Sequence, residues 1–242
     1  MIRLDNITDI TIDSRAVKPG TLFFAIKGAK ADGHDYIEKA IASGAVAIVG
    51  ERDLKLSVPY YKSENIRHDL AITVAAFYKT QPKQIAVITG TNGKTSTADF
   101  CRQLFEMAGS DACSIGTLGF IHGSENIEFN NTSPDPLTMH KYLAGVKDFA
   151  AIEGSSIGLE QHRLDGLRVT AAGFTNFTQD HLDYHGTMEE YFRTKTLLFD
   201  IMQNGTAVIS TSIPKFAALK KHKIITFGPG GDLEITKQTP TP

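Results

Sequence analysis

Residues 85–95 read Ile85-Ala86-Val87-Ile88-Thr89-Gly90-Thr91-Asn92-Gly93-Lys94-Thr95. The first five form a continuous apolar run of the kind buried on both faces of a parallel sheet. The glycines let the following turn aim its backbone N–H groups at an anion, and the helix that opens there adds positive potential. A lysine directly after the second glycine can reach the β/γ-phosphates of a nucleotide, and the next threonine hydroxyl can ligate Mg²⁺. The longer form of this motif carries a glycine at position 88, where this chain has Ile88. A glycine-rich turn with a surface lysine is the plainer alternative. The strand-to-helix junction favours a phosphate loop, which makes Gly90, Thr91, Asn92, Gly93, Lys94, Thr95 and Ser96 the candidate ATP-binding residues.

Working outward, the spacing predicts a helix from about Thr95 to Ala108, with Phe100, Leu104 and Met107 on its apolar face and Gly109 as its stop. Residues 149–152, 171–174, 206–209 and 223–227 read as further strands separated by helical stretches. That alternation argues for βαβ units and a mainly parallel sheet. Upstream, residues 10–12, 22–25 and 45–49 read as strands. Tyr36, Ile37, Ala40 and Ile41 keep helical spacing before Gly44, and a second helix runs through Ile66, Leu70, Ala71, Val74, Ala75 and Tyr78. Residues 80–84 are polar around Pro82, so the expected organisation is a small α/β domain, residues 1–83, followed by a larger α/β domain, residues 84–242. The tail from Pro229 to Pro242 is rich in Gly, Pro and Thr. No internal repeat is visible.

The chain has 242 residues, with 25 Lys+Arg against 27 Asp+Glu and a formal charge of -2. That balance gives no broad electrostatic footprint for nucleic acid or an anionic membrane. With 41% hydrophobic and 21% charged residues, whole-chain disorder is excluded. No apolar run approaches the roughly 20 residues that span a bilayer. The N-terminus reaches charge at Arg3, without the apolar core of a signal peptide. Cys101 and Cys113 are too few for a disulfide framework or a four-ligand zinc site, so a reducing cytoplasm is expected.

Three residues outside the loop carry candidate chemistry. Glu153 follows an apolar strand, where ligand sites of parallel sheets lie, and is a suitable Mg²⁺ ligand. His181 sits among Asn176, Asp180 and Asp183 in a polar loop after another strand. Lys195 occupies a position where the helical stripe Met188, Tyr191, Phe192, Leu198, Phe199 calls for an apolar residue. The Thr187-Met188-Glu189-Glu190 stretch opens that helix with capping-box spacing. A lysine snorkelling at the stripe's edge fits the pattern too. A lysine held in a partly dry site instead loses pKa, and its neutral amine can add CO₂ to give an anionic carbamate.

Thr89-Gly90-Thr91-Asn92-Gly93-Lys94-Thr95 resembles the ATP-binding loop of the Mur ligase superfamily, which includes folylpolyglutamate synthetases. Residues 131–135, Asn-Thr-Ser-Pro-Asp, and 180–189, Asp-His-Leu-Asp-Tyr-His-Gly-Thr-Met-Glu, resemble one branch, which adds the third amino acid to UDP-N-acetylmuramoyl-L-alanyl-D-glutamate. Asp13-Ser14-Arg15 and Asp32-Gly33-His34 match that branch's UDP-binding domain, and the resemblance covers nearly the whole chain. It implies a UDP-binding N-terminal domain, a P-loop-like central domain, and ATP-dependent amide formation through an acyl phosphate in peptidoglycan precursor synthesis, with diaminopimelate or lysine as co-substrate. It also implies a cytoplasmic monomer. Lys94 and His181 would be catalytic together with a carbamylated Lys195. Thr95, Glu153 and His181 would hold Mg²⁺. Ser14, Thr132, Ser133, Ser155, Gln161 and Arg163 would contact the UDP-muramoyl dipeptide, although ordinary loop and helix-surface roles also fit these residues. The chain departs from the family at Ile157, where Glu-x-Ser-Ser is normally followed by His, and at Ser210-Thr211-Ser212, where an Asn-x-Asp-Asp run is usual. The expectation is that the family's third domain lies outside these 242 residues. The expectation is therefore that this chain alone does not complete the ligase reaction, with a nucleotide- or UDP-muramoyl-peptide-binding fragment as the alternative. A folylpolyglutamate synthetase relative is disfavoured by residues 180–186.

Overall fold

The computed structural model describes residues 2–28 and 31–236; residues 237–242, the end of the Gly/Pro/Thr-rich tail, lie outside the described residues. The chain divides into two compact units between Lys79 and Thr80.

In the first unit, β1 (Asp9–Thr11), β2 (Thr21–Phe24), β3 (Ala45–Gly50) and β4 (Tyr60–Lys62) pair in that order, all parallel. Between β2 and β3 lies α1 (Ile37–Ala42), and α2 (Ile66–Tyr78) follows β4. Phe23, Ala25, Ile37, Ala40 and Ile48 share one core under the sheet. Tyr36 does not join α1: Asp32 accepts from His34 N and starts a separate 3-10 turn, which leaves Tyr36 exposed at the helix N-cap. The polar end of this sheet is organised by buried His34, whose Nδ1 meets Asp32 at 2.7 Å while its Nε2 accepts from Glu51 N at 3.0 Å.

The second unit opens with β5 (Gln84–Thr89) and α3 (Lys94–Met107), then β6 (Ala112–Gly116), β7 (Gly119–His122), β8 (Glu125–Ile127) and α4 (Pro136–Leu143). It continues with β9 (Phe149–Glu153), α5 (Ser156–Glu160), β10 (Ala171–Phe174), α6 (Leu182–His185), α7 (Met188–Ile201), β11 (Thr206–Ser210) and β12 (Lys223–Phe227). The eight strands lie in the order β12-β11-β10-β5-β9-β6-β7-β8. The first six of that order are parallel, and β7 and β8 add an antiparallel edge that the sequence pattern did not reveal. Ile85, Val87, Ile152, Phe174, Leu198 and Phe199 belong to one buried core. Each fully buried side chain of this size contributes roughly 1.5–3 kcal/mol.

Helix α3 corrects the expected apolar face. Phe100, Leu104 and Met107 are 61%, 63% and 85% exposed. The buried face is Ala98, with Cys101 and Phe105 packed on Ile88, Ala112, Phe149 and Ala151. Phe105 stacks on Phe149 with ring centroids 3.7 Å apart. The face that meets the sheet is the one whose Phe105 can stack on Phe149, with Ala98 and Cys101 beside it. Arg102 lies beside that face because Asp99 and Glu106 pair with it at 2.7 and 2.5 Å.

Candidate active site

The central strand β5 runs parallel to β9 on one side and β10 on the other, with Ile88 level with Glu153 and Thr89 level with Phe174. The chain reaches the two sides of β5 in separate passes, which opens a crevice at the carboxyl ends of these strands. The loop from Gly90 to Gly93 fills this crevice and delivers the chain into α3. Gly90 has φ +143°, and a Cβ there would fall 1.9 Å from Thr175 Oγ1, so no other residue fits. The loop is braced from the segment after β10. Thr91 N donates to Asn176 O at 3.0 Å, Asn92 N to Asn176 Oδ1 at 2.9 Å, and Thr178 N to Thr91 Oγ1 at 3.0 Å. These bonds tie the loop to the segment after β10.

Two lysines from distant parts of the chain converge on the carbonyl that opens the loop. Lys94 Nζ donates to Gly90 O at 3.0 Å and to Thr91 O at 2.9 Å. Lys195 Nζ donates to the same Gly90 O at 2.8 Å. Lys195 is 1% exposed and its ammonium lies 4.3 Å from the centroid of the Tyr191 ring. Burial, then the neighbouring Lys94 charge, pulls the Lys195 amine down to about 7, against the opposing pull of Asp180. Burial also lowers Lys94, with Glu153 and Asp180 acting the other way. The stripe position of Lys195 is thus a buried lysine, and the snorkelling alternative fails. The helix start below it is half a capping box: Thr187 accepts from Glu190 N at 3.1 Å, while the Glu190 carboxylate pairs with Arg193.

Glu153 is 1% exposed. Its Oε2 accepts from Thr95 Oγ1 at 3.0 Å, and its Oε1 accepts from Thr117 N at 2.7 Å. The approach is so close that a Cβ on Gly116 would lie 2.1 Å from Oε1. A buried carboxylate met by hydroxyl and amide donors, with a threonine hydroxyl beside it, is a donor set that suits a hard divalent cation. The candidate substrate residues form one network with it. Ser133 Oγ donates to Glu153 O at 2.8 Å and lies 3.0 Å from Ser155 Oγ. Arg163 donates to Ser133 O and to Gln161 Oε1, both at 2.7 Å. Thr132 Oγ1 is 3.2 Å from Thr117 Oγ1. Ser96 is exposed on the first turn of α3, and Ser14 lies in the turn after β1 of the first unit.

His181 is less engaged. It is the N-cap of α6, its side chain is 49% exposed, and its Nε2 lies 3.6 Å from Asp180 Oδ2. The buried histidine of this segment is His185, 7% exposed, with Nε2 2.9 Å from Ser156 Oγ.

Residues 88–239 match the sequence profile of the Mur ligase middle domain, and residues 6–93 match that described as the Mur ligase family catalytic domain. The chain belongs to the Mur ligase family. Its relatives include a UDP-N-acetylmuramoyl-L-alanyl-D-glutamate–2,6-diaminopimelate ligase of Bradyrhizobium diazoefficiens, 44% identical over 211 residues, 84% of this chain and 44% of that protein. The protein of the same name in Caulobacter vibrioides is 42% identical over 257 aligned positions, 98% of this chain and 53% of that protein. A solved structure of such a ligase matches with a TM-score of 0.79 at 27% identity, over 96% of this chain and 49% of that one. A MurF ligase of Thermotoga maritima, solved in complex with ADP, shares the fold at a TM-score of 0.68, 24% identity, 96% of this chain and 53% of that one. The chain spans about half the length of the curated relatives it matches.

Sequence reasoning missed Gly116, Thr117 and His185. Gly116 ends a strand that carries no alternation signal, and Thr117 follows it. His185 stood within a quoted motif, but nothing in its spacing told it apart from His181.

Proposed function

We propose that this chain carries the nucleotide- and acceptor-binding half of an ATP-dependent amide ligase, which extends UDP-N-acetylmuramoyl-L-alanyl-D-glutamate by diaminopimelate. The observation that carries this reading is the convergence of Lys94 and Lys195 on Gly90 O beside the Thr95–Glu153 pair. The names of relatives at 42–44% identity support diaminopimelate over lysine as the added residue, and this branch over the folylpolyglutamate synthetases.

In this reading Gly90, Thr91, Asn92, Gly93, Lys94, Thr95 and Ser96 bind ATP. A D-glutamyl carboxylate oxygen attacks the γ-phosphorus, the bond to ADP breaks, and an acyl phosphate forms. The incoming amine then bonds to the acyl carbon, inorganic phosphate leaves, and one proton is released. Lys94 stabilises the charge that develops on the transferred group. Thr95, Glu153 and His181 would hold Mg²⁺, which would supply positive charge to the phosphate oxygens. For His181 this requires the exposed ring to turn inward from its loop. The neutral Lys195 amine would add CO₂ and lose a proton, giving an anionic carbamate whose oxygens could serve as further ligands for a hard cation. Ser133, Ser155, Gln161, Arg163 and Thr132 receive the acceptor peptide's carboxylates, and Ser14 in the first unit takes part in holding the UDP end.

Calorimetry with Mg²⁺ and ATP tests the nucleotide site. Lys94→Ala should weaken binding at least about tenfold, roughly 1.4 kcal/mol. Equal affinities for the two chains would reject the assignment. Adding UDP-muramoyl dipeptide and hydroxylamine then separates chemistry from binding alone, because an acyl phosphate is trapped as a hydroxamate. The departures at Ile157 and at Ser210–Ser212 favour the second reading, binding without turnover, and in that case ADP and hydroxamate do not accumulate.

A further inference from the structure

Within the proposed site the buried imidazole of His185 has no assigned task. His185 is 7% exposed, at the last position of α6, and the chain turns immediately after it at Gly186, φ +77°. Its Nε2 shares a hydrogen bond with Ser156 Oγ at 2.9 Å, and Ser156, 2% exposed, is the first residue of α5. Its ring packs against Tyr191 with centroids 5.1 Å apart and planes 32° apart, and Tyr184 meets it edge-on at 4.9 Å. Tyr191, fully buried, carries the Lys195 ammonium at 4.3 Å on its ring. Three segments therefore meet at one imidazole: α5, which starts three residues after Glu153; α6, which starts after His181; and α7, which carries Lys195.

We propose that His185 is a positioning residue, a latch that ties the Tyr191–Lys195 pair of α7 to Ser156 and so fixes the Lys195 amine at the mouth of the phosphate loop. The physical need is specific. Lys195 has a long side chain, is held at its tip by one bond to Gly90 O, and is flanked by a like charge on Lys94. An ammonium with that freedom drifts toward water unless the aromatic wall beside it is immobile. Tyr191 supplies the wall; Phe177 and His181 also pack on it, and His185 is the neighbour that ties it, through a buried hydrogen bond, to a different helix. Burial depresses the His185 pKa, with Glu160 and Lys195 as the charged groups of α5 and α7 that face it most strongly, so the imidazole serves as a neutral strut.

The inference rests on the reading that Lys195 works at this site, and its test is chosen to separate the two. The full 242-residue chain is treated with labelled formaldehyde and a hydride donor, and methylation of Lys195 and Lys94 is followed by peptide mass spectrometry. In the wild type Lys195 should react slowly. His185→Ala should raise the Lys195 rate about tenfold while Lys94, braced within its own loop, changes little. His185→Gln, which keeps a donor for Ser156, should restore part of the protection. Ser156→Ala, the milder variant for use where His185→Ala does not fold, should raise Lys195 reactivity in the same direction. An unchanged Lys195 rate in both alanine variants overturns the latch, and so does a parallel rise at Lys94 and Lys195. Bicarbonate-labelled carbon NMR of the wild type reports separately on the Lys195 carbamate: its absence removes the carbamate reading and leaves the labelling result to decide the latch.

Discussion

Glu153 and Gly116 show how one atom can decide a site. The carboxylate occupies the volume where a side chain on residue 116 would begin, with 2.1 Å between Oε1 and that Cβ position. Gly116→Ala must therefore push Glu153 away from Thr95 and from Thr117 N. Overpacking of this kind costs about 1–3 kcal/mol. The sharper consequence is for metal-assisted binding. Calorimetry should find ATP affinity in Mg²⁺ reduced at least about tenfold, with metal-free affinity near the wild-type value. Retention of full Mg²⁺-dependent affinity in Gly116→Ala would remove Glu153 from the cation site. The residue types at 94, 95, 153 and 195 were legible in the sequence because each breaks a pattern: a lysine and threonine at a strand-to-helix junction, an acid at the end of an apolar strand, a lysine in an apolar stripe. Gly116 and His185 break no local pattern, so only their neighbours in space give them meaning.

At the scale of the element, α3 presents two apolar faces, and the sheet selects between them. Phe100, Leu104 and Met107 are turned to solvent, while Ala98, Cys101 and Phe105 lie on the strands. Leu104→Gln and Met107→Gln should then each change stability by no more than about 0.5 kcal/mol, as surface substitutions do. Phe105→Ala, which removes the ring stacked 3.7 Å from Phe149, should cost about 2 kcal/mol or more. Urea titrations of the three variants check this order, and a larger loss from Leu104→Gln than from Phe105→Ala would reverse the assignment of faces. The sequence marks α3 and its ends, with Gly93 as the N-cap and Gly109 beyond its last turn. It does not mark the inward side, because both faces carry apolar residues at helical spacing and only the strand residues they meet, Phe149 above all, decide which face is buried.

At the scale of the whole molecule, His140 of α4 links stability to pH. It is 1% exposed, neither ring nitrogen has a hydrogen-bond partner among the described residues, and burial pulls its pKa down to about 4. Between that value and the usual 6.5 the unfolded chain binds a proton that the folded chain refuses, so stability is present near pH 7 and is lost as pH falls toward 4. The loss should reach about 2 kcal/mol between pH 7 and pH 5. Urea denaturation of the wild type at those two pH values should show it, and His140→Leu should flatten the difference; an unchanged slope would assign it to other groups. Lys195, lowered to about 7, takes up protons over the upper part of this range and adds a smaller loss of the same sign, which His140→Leu leaves in place. By itself the sequence determined the strand–loop–helix of residues 84–107, most of the parallel strands and the loop residues, because buried parallel strands and phosphate loops are local patterns of apolarity and glycine. The antiparallel edge formed by β7 and β8, the inward face of α3, the close approach of Gly116 to Glu153 and the His185–Tyr191–Lys195 stack were decided by the tertiary structure. Each depends on which residues, 30 or more positions apart or on different elements, come within a few ångströms of one another, and that is set by how the sheet orders its strands rather than by any local run of residues.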